Sequence, residues 1–149
     1  MYKRQTTTRV TTVNVQATYT ANMAFKIETG TEHSVTLDGD HQAGASPMEL
    51  LLASLAGCSG MSVISILQRK KEDVTNYKVH VQGVRAGDHP KVFEEITVEH
   101  IITGHHINPQ SIERAIELAE TRYCGVSIML GKATNLKHSY HIIEAGQFL

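Results

Sequence analysis

The chain has 149 residues, of which 41% are apolar, and its formal charge is -1 with neutral histidines. This length predicts a single domain over residues 1–149 with a real hydrophobic core, and the balanced charge argues against a nucleic-acid-binding surface. Aromatic residues make up only 5% of the chain, so we expect an aliphatic core. The first twenty residues contain no apolar run of the signal-peptide kind. We therefore expect a cytoplasmic protein.

The N-terminal part of the chain, about residues 9–38, has the alternation that is typical of β-strands. Val13, Val15 and Ala17 alternate with polar neighbours, and two further apolar stretches follow after short turns. A loop rich in glycine and aspartate comes next. This segment is therefore predicted to contribute strands that precede the first helix.

A long helix is predicted over about residues 47–71. Ser46 is a good N-cap, Pro47 suits the first helical position, and Glu49 stands at the spacing of a capping box. Residues 50–67 carry no charge, which is close to the length of a membrane span. Serines and glycines make the stretch too polar for lipid, so we interpret it as the buried centre of a soluble fold rather than a membrane helix.

A strand pair, a second helix and a last strand complete the predicted elements. The strand pair covers about residues 77–104, the helix about 109–124 and the last strand about 133–144. This order predicts an α+β fold, in which an antiparallel sheet packs on the long central helix and on the second helix.

The two cysteines of the chain, Cys58 and Cys124, both fall on predicted helices. Small residues flank Cys58, whereas Cys124 closes the second helix and precedes Gly125. In a reducing compartment such a pair is more often catalytic, metal-binding or buried than a structural disulfide. The residues alone leave open whether the thiols meet or are two small buried side chains.

Nine histidines raise the alternative of a metal site. The candidate ligand pairs are His105-His106 and His138 with His141. Residues one or three apart on a strand point to opposite faces, so neither pair chelates an ion without a loop to bend it. We therefore predict no metal and no cofactor, and we assign most histidines to solvent-facing strand positions.

Two segments, SPMELLLASLAGCSGMSVISIL and ERAIELAETRYCGVSIML, resemble the two cysteine motifs of the OsmC/Ohr family in order and spacing. The family comprises osmotically inducible and organic hydroperoxide resistance proteins, which are small thiol-dependent peroxidases. The strand from Phe93 to Gly104 and the ending KHSY at residues 137–140 are most similar to the YhfA-like branch. The resemblance covers about residues 35–145. It implies an intertwined homodimer, with two long helices crossing at its centre and active sites at the subunit interface.

By this resemblance, Cys58 is the peroxidatic thiol and Cys124 is the resolving thiol. The first thiolate attacks a hydroperoxide and becomes a sulfenic acid, which condenses with the second thiol to a disulfide. An external dithiol then reduces the disulfide, and dihydrolipoyl groups serve this purpose in the organic hydroperoxide branch. The implied partners are therefore a second subunit, a hydroperoxide and a dithiol reductant.

Activation of Cys58 is where the chain departs from the family pattern, because a free thiol is mostly protonated at neutral pH. The best-studied members use an N-terminal arginine together with a glutamate directly after the helix-starting proline. This chain has no arginine between Arg9 and Arg69, and Met48 occupies the glutamate position. Glu49 comes one residue later, and nine residues of regular helix place it nearly opposite Cys58. Glu49 is therefore either catalytic or only part of the capping box.

Four residues are candidates for the missing cation, namely His33, His41, Arg122 and Arg9. A protonated imidazole lowers the pKa of a neighbouring thiol, but an unperturbed histidine is mostly neutral at pH 7. Arg122 also suits the negative end of the second helix. The position of Arg9 depends on strand register, which the sequence does not show.

Three functions are consistent with these residues. The first is a thiol-dependent hydroperoxide reductase of oxidative-stress defence that uses Cys58 and Cys124. The second is a protein of the same fold that binds a small apolar ligand in the interface cavity, and the third is a slow redox sensor. We predict the first, because both cysteines occupy the family motifs.

Overall fold

The computed structural model describes residues 11–146. The predicted strand positions 9 and 10, and with them Arg9, lie outside these residues. The chain divides into two compact units, residues 1–49 and 50–149, and each is described by itself.

The first unit contains a three-stranded antiparallel sheet in the order β1-β2-β3. Its strands are β1 (Val15–Ala21), β2 (Ala24–Thr29) and β3 (Ser34–Asp38). The buried Asp38 carboxylate accepts three backbone N–H groups of the following loop at 2.8–3.2 Å, and these bonds lower its pKa. All seven side chains of β1 are exposed, so the unit leaves a strand uncovered on both faces.

The long helix α1 runs from Pro47 to Arg69. It ends two residues before the predicted end at 71, because Lys71 has a left-handed backbone with φ of 57°, a conformation that closes helices. One stripe of α1 is buried in the second unit, and it consists of Leu55, Ser59, Val63, Ile66 and Leu67.

The second unit contains a sheet of three longer strands in the order β4-β5-β6. β4 (Asp73–Arg85) and β5 (Phe93–His105) are antiparallel as predicted. β6 (Asn135–Glu144) lies parallel to β5, so the prediction of a purely antiparallel sheet is wrong at this strand. The physical reason is the connection between the two strands. A helical crossover returns the chain to the N-terminal end of β5, so that β6 runs in the same direction as β5.

The crossover contains two helices rather than one. α2 (Pro109–Leu118) begins at the predicted residue, continues as a π-helical turn (Ala119–Tyr123), and is followed by α3 (Gly125–Gly131). The prediction of a helix through residue 124 is therefore wrong at its end, because Cys124 is extended, with φ -88° and ψ 97°, and separates the two helical pieces.

A core of aliphatic side chains, as expected from the composition, fills the space between α1, the second sheet and α2. Its buried members are Val63, Ile66, Leu67, Ile102, Ile107, Ile112, Ala115, Ile116 and Ala119. This core fixes the crossover against the helix that carries the first cysteine.

Candidate active site

The two cysteines meet within the second unit. Cys58 is half-buried on α1, Cys124 is fully buried at the junction between the π-helical turn and α3, and both are free thiols. The Cys58 thiol is close enough to Cys124 to raise the pKa of the Cys124 thiol. The sequence did not show whether the two thiols meet. In the structure they lie close together, although the two residues are far apart in the chain.

The surroundings of Cys124 keep it protonated. Burial is the main cause that raises its pKa, and the adjacent Cys58 thiol raises it further. The backbone N–H of Ser127 donates to Cys124 Sγ at 3.3 Å, and this bond together with the Ser127 side chain acts in the opposite direction. The net shift is upward, so Cys124 is a poor nucleophile until its proton is removed.

Glu49 forms the capping box at the start of α1. Its Oε2 accepts the backbone N–H and the hydroxyl of Ser46 at 2.8 and 3.0 Å, and its own N–H donates to Ser46 Oγ at 3.2 Å. These bonds are the main reason why the pKa of Glu49 is lowered, and His41, whose Nε2 lies 3.6 Å away, adds to the effect. The geometry accounts for Glu49 as a helix cap, while a catalytic role for it stays a prediction.

The other candidate cations make contacts of their own. The exposed His33 places Nδ1 3.1 Å from Thr31 Oγ1. Arg122 holds its guanidinium 5.6 Å from the ring centroid of Tyr123, an exposed cation–π contact. Neither contact assigns these residues to the thiol pair.

A buried row of polar rings crosses the second sheet, and sequence reasoning missed it. Tyr77 Oη lies 2.6 Å from His100 Nδ1, and His100 Nε2 lies 3.1 Å from His138 Nδ1. His100 is fully buried and the His138 side chain is 4% exposed. Seven of the nine histidines are exposed, which confirms the assignment of most histidines to solvent, and His100 and His138 are the two exceptions. His141, three residues after His138, is exposed as the alternation of a strand requires.

The row has one consistent direction of hydrogen bonding. Burial, followed by the neighbouring His138, lowers the pKa of His100 to about 4, and burial also lowers the pKa of His138. Both imidazoles are thus neutral at pH 7, and each carries one N–H. Burial raises the pKa of Tyr77, so its phenol keeps its proton and is able to donate to His100 Nδ1. His100 Nε2–H then donates to His138 Nδ1, which leaves the Nε2–H of His138 directed outward.

The outward end of the row opens into a surface pocket of about 420 Å³. Glu120 Oε2 lies 3.5 Å from His138 Nε2 in this pocket. Burial, followed by repulsion from Glu117, raises the pKa of Glu120. Ser127 also lines the pocket, and both its hydroxyl and His138 Nε2 are buried without a hydrogen-bond partner. The pocket and the thiol pair therefore share Ser127.

The alternation of residues along β5 is the sequence signal that could have identified His100 as buried. His100 stands two residues from Val98 and from Ile102, which are buried on the same face of β5. Among residues 11–146, no group of three or more histidine, cysteine, aspartate or glutamate side chains is placed to hold a metal ion.

Comparisons with known proteins agree with the fold. Residues 38–139 match the family model described as OsmC-like protein. The chain is 36% identical to Protein YhfA of Escherichia coli K12 over 124 residues, which cover 83% of this chain and 92% of the relative. A crystal structure of a hypothetical protein from Aquifex aeolicus VF5 is 30% identical with a TM-score of 0.83, and the match covers 91% of this chain and 98% of that one.

A more distant structure shares the fold alone. It is an organic hydroperoxide resistance protein OsmC from Legionella pneumophila, 18% identical with a TM-score of 0.66, and the match covers 89% of this chain and 98% of that one. With the two cysteines adjacent and the α+β architecture shared throughout, the chain belongs to the family of OsmC-like proteins.

Proposed function

We propose that this protein is a thiol-dependent hydroperoxide reductase that works through Cys58 and Cys124. The observation that carries the proposal is the contact between two free thiols, one half-buried and the other fully buried. The fold-level similarity to a structure described as an organic hydroperoxide resistance protein supports the same chemistry.

The difference in exposure between the two thiols supports an order of events. Cys58 is the thiol that a hydroperoxide reaches, so its sulfur attacks the distal oxygen, the O–O bond breaks, and an alcohol leaves with a proton. Cys124 then attacks the Cys58 sulfenic acid, which releases water and forms the disulfide. Two equivalents of thiol from an external dithiol restore the pair, and a reducing compartment such as the cytoplasm supplies such a reductant.

A second copy of the chain completes the protein in this proposal. α1 is long and apolar enough to cross a membrane, yet only 33% of its most apolar window is buried. Leu51 and Met61 on α1 are 36% and 73% exposed. Large apolar side chains exposed on a long apolar helix indicate an interaction site. A homodimer covers it with the same surface from a second subunit.

Replacing Met61 by lysine is expected to convert the dimer into a monomer, because the charged side chain would be buried against the partner helix without a counter-ion. Sedimentation velocity at micromolar concentration measures the change. Met129→Lys is the matched control, since Met129 is 74% exposed but lies on α3. A Met61→Lys protein that remains dimeric, or a control that dissociates equally, would contradict a dimer formed through α1.

Rapid mixing of the reduced protein with cumene hydroperoxide tests the activity. We expect a loss of two hydrogen masses within seconds, with the new disulfide mapped to Cys58 and Cys124, and repeated turnover when a dithiol is added. Disulfide formation without turnover would instead assign a redox sensor. Thiols that do not react over minutes would refute the proposal and favour a binding protein for a small apolar ligand.

A further inference from the structure

The peroxide chemistry leaves a group of buried polar atoms unexplained. The hydroxyl of Ser127 and Nε2 of His138 are buried without partners, and both line the pocket that Glu120 borders. Buried polar groups are nearly always satisfied in folded proteins, so two such atoms facing one pocket call for a functional reason.

Disulfide formation requires a base near Cys124. Burial raises the pKa of this thiol, yet the sulfur must lose its proton to attack the Cys58 sulfenic acid. Ser127 lies on the path by which the proton can leave, because its backbone N–H bonds to the sulfur and its buried hydroxyl has no hydrogen-bond partner that would hold its proton. From Ser127 the pocket leads to the Glu120 carboxylate.

We propose that Glu120 is the base that receives the Cys124 proton through Ser127 and pocket water, and that His138, His100 and Tyr77 hold this carboxylate in position. This assignment rests on the proposed function of the thiol pair. The pocket volume of about 420 Å³ is ample for several waters, since each occupies about 30 Å³. Glu120 and Ser127 therefore need not touch.

The charges around Glu120 suit a base. Partial burial, followed by repulsion from Glu117 on α2, raises its pKa, which increases its affinity for a proton. Lys132 lines the same pocket, and Glu113 lines a neighbouring one together with Glu120. The neutral His138 on β6 places Nε2 3.5 Å from Glu120 Oε2, which is longer than a hydrogen bond, so its N–H attracts the carboxylate without neutralising its charge.

The step balances as follows. The Cys124 sulfur forms a bond to the Cys58 sulfur, the S–O bond of the sulfenic acid breaks, and hydroxide leaves. The Cys124 proton passes through Ser127 and water to Glu120, while the hydroxide takes a proton from solvent. Cys124 is oxidised, the Cys58 sulfur is reduced from sulfenic acid to disulfide, and Glu120 later returns its proton to solvent.

A chromogenic aromatic disulfide, dithiobis-nitrobenzoate, isolates this step from peroxide chemistry. The reagent labels the more exposed Cys58 first and releases one nitrothiobenzoate, and attack by Cys124 then releases the second. We expect Glu120→Gln to slow the second release about 100-fold at pH 7, the lower end of what a positioned base contributes. The rate of the variant should recover as the pH rises towards the pKa of the thiol, while the first release is unchanged.

Glu113→Gln is the matched control, because Glu113 lines the neighbouring pocket together with Glu120 but is not among the groups that shift the pKa of Glu120. The second release should therefore stay near the wild-type rate in this variant. Ser127→Ala should slow it with the same pH dependence as Glu120→Gln. A Glu120→Gln protein that releases the second equivalent at the wild-type rate would overturn the proposal, as would a slowing that is equal at every pH. A wild-type protein that forms the disulfide with the reagent but consumes no hydroperoxide would refute the peroxidase assignment alone.

Discussion

Cys58→Ser is expected to abolish hydroperoxide consumption, because a serine hydroxyl at this position has no thiolate form with which to attack the O–O bond. The side chain is half-buried and nearly isosteric, so folding should be unaffected. The measurement is the loss of cumene hydroperoxide in the presence of excess dithiol. A variant that consumes hydroperoxide as fast as the wild type would show that the roles of the two cysteines are wrongly assigned.

Cys124→Ser is the matched variant, and it should behave differently. Without the second thiol, Cys58 reacts once and stops as a sulfenic acid, which intact mass shows as the gain of one oxygen atom. The expected result in the absence of a dithiol is thus one equivalent of hydroperoxide consumed per chain. The wild type consumes the same single equivalent but should lose two hydrogen masses instead. A wild-type protein that also stops with the gain of one oxygen atom would refute a resolving role for Cys124.

The free energy of unfolding should fall by about 3 kcal/mol between pH 7 and pH 4 on account of His100 alone. Its pKa is about 4 in the folded protein and about 6.5 in the unfolded chain. Between these values the unfolded state binds more protons, so stability is complete above pH 6.5 and is lost as the pH falls towards 4. Urea titrations at several pH values measure the change.

His100→Gln should weaken this pH dependence, because glutamine can bond within the row of rings but does not titrate. His141→Gln is the control, since His141 is 66% exposed and should leave the dependence intact. Carboxylates that titrate in the same range contribute equally to all three proteins and cancel in the comparison. An unchanged slope in His100→Gln would show that the buried imidazole is not the titrating group.

Much of the fold follows from local sequence signals. Ser46, Pro47 and Glu49 predicted the start of α1, and the structure contains the capping box that their spacing requires. The parallel direction of β6 was not predictable in the same way, because no local residue sets it. It depends on the return of the whole crossover, whose π-helical turn replaces the last turn of the expected helix.

The candidate site was predictable only in part. Cys58 and Cys124 were predicted because each lies in a short segment that resembles a cysteine motif of the family. The polar row depends on strand register instead: Tyr77 and His138 reach His100 from strands that pair on either side of β5. A histidine on a strand can be either exposed or buried, and it is buried only where polar partners on the neighbouring strands can bond to it. The sequence does not show which residues those partners are.

Because the two thiols are far apart along the chain, their oxidation to a disulfide would change the stability of the protein. A disulfide between Cys58 and Cys124 would enclose a loop of about 65 residues. Closing such a loop lowers the conformational entropy of the unfolded chain and so raises the free energy of unfolding by about 4 kcal/mol. Most of α1, the first two strands of the second sheet and α2 lie inside it. In each round of the proposed cycle, the protein would therefore become more stable on oxidation and less stable on reduction. The chain would best resist unfolding, and with it proteolysis, while oxidant is plentiful and reductant is scarce.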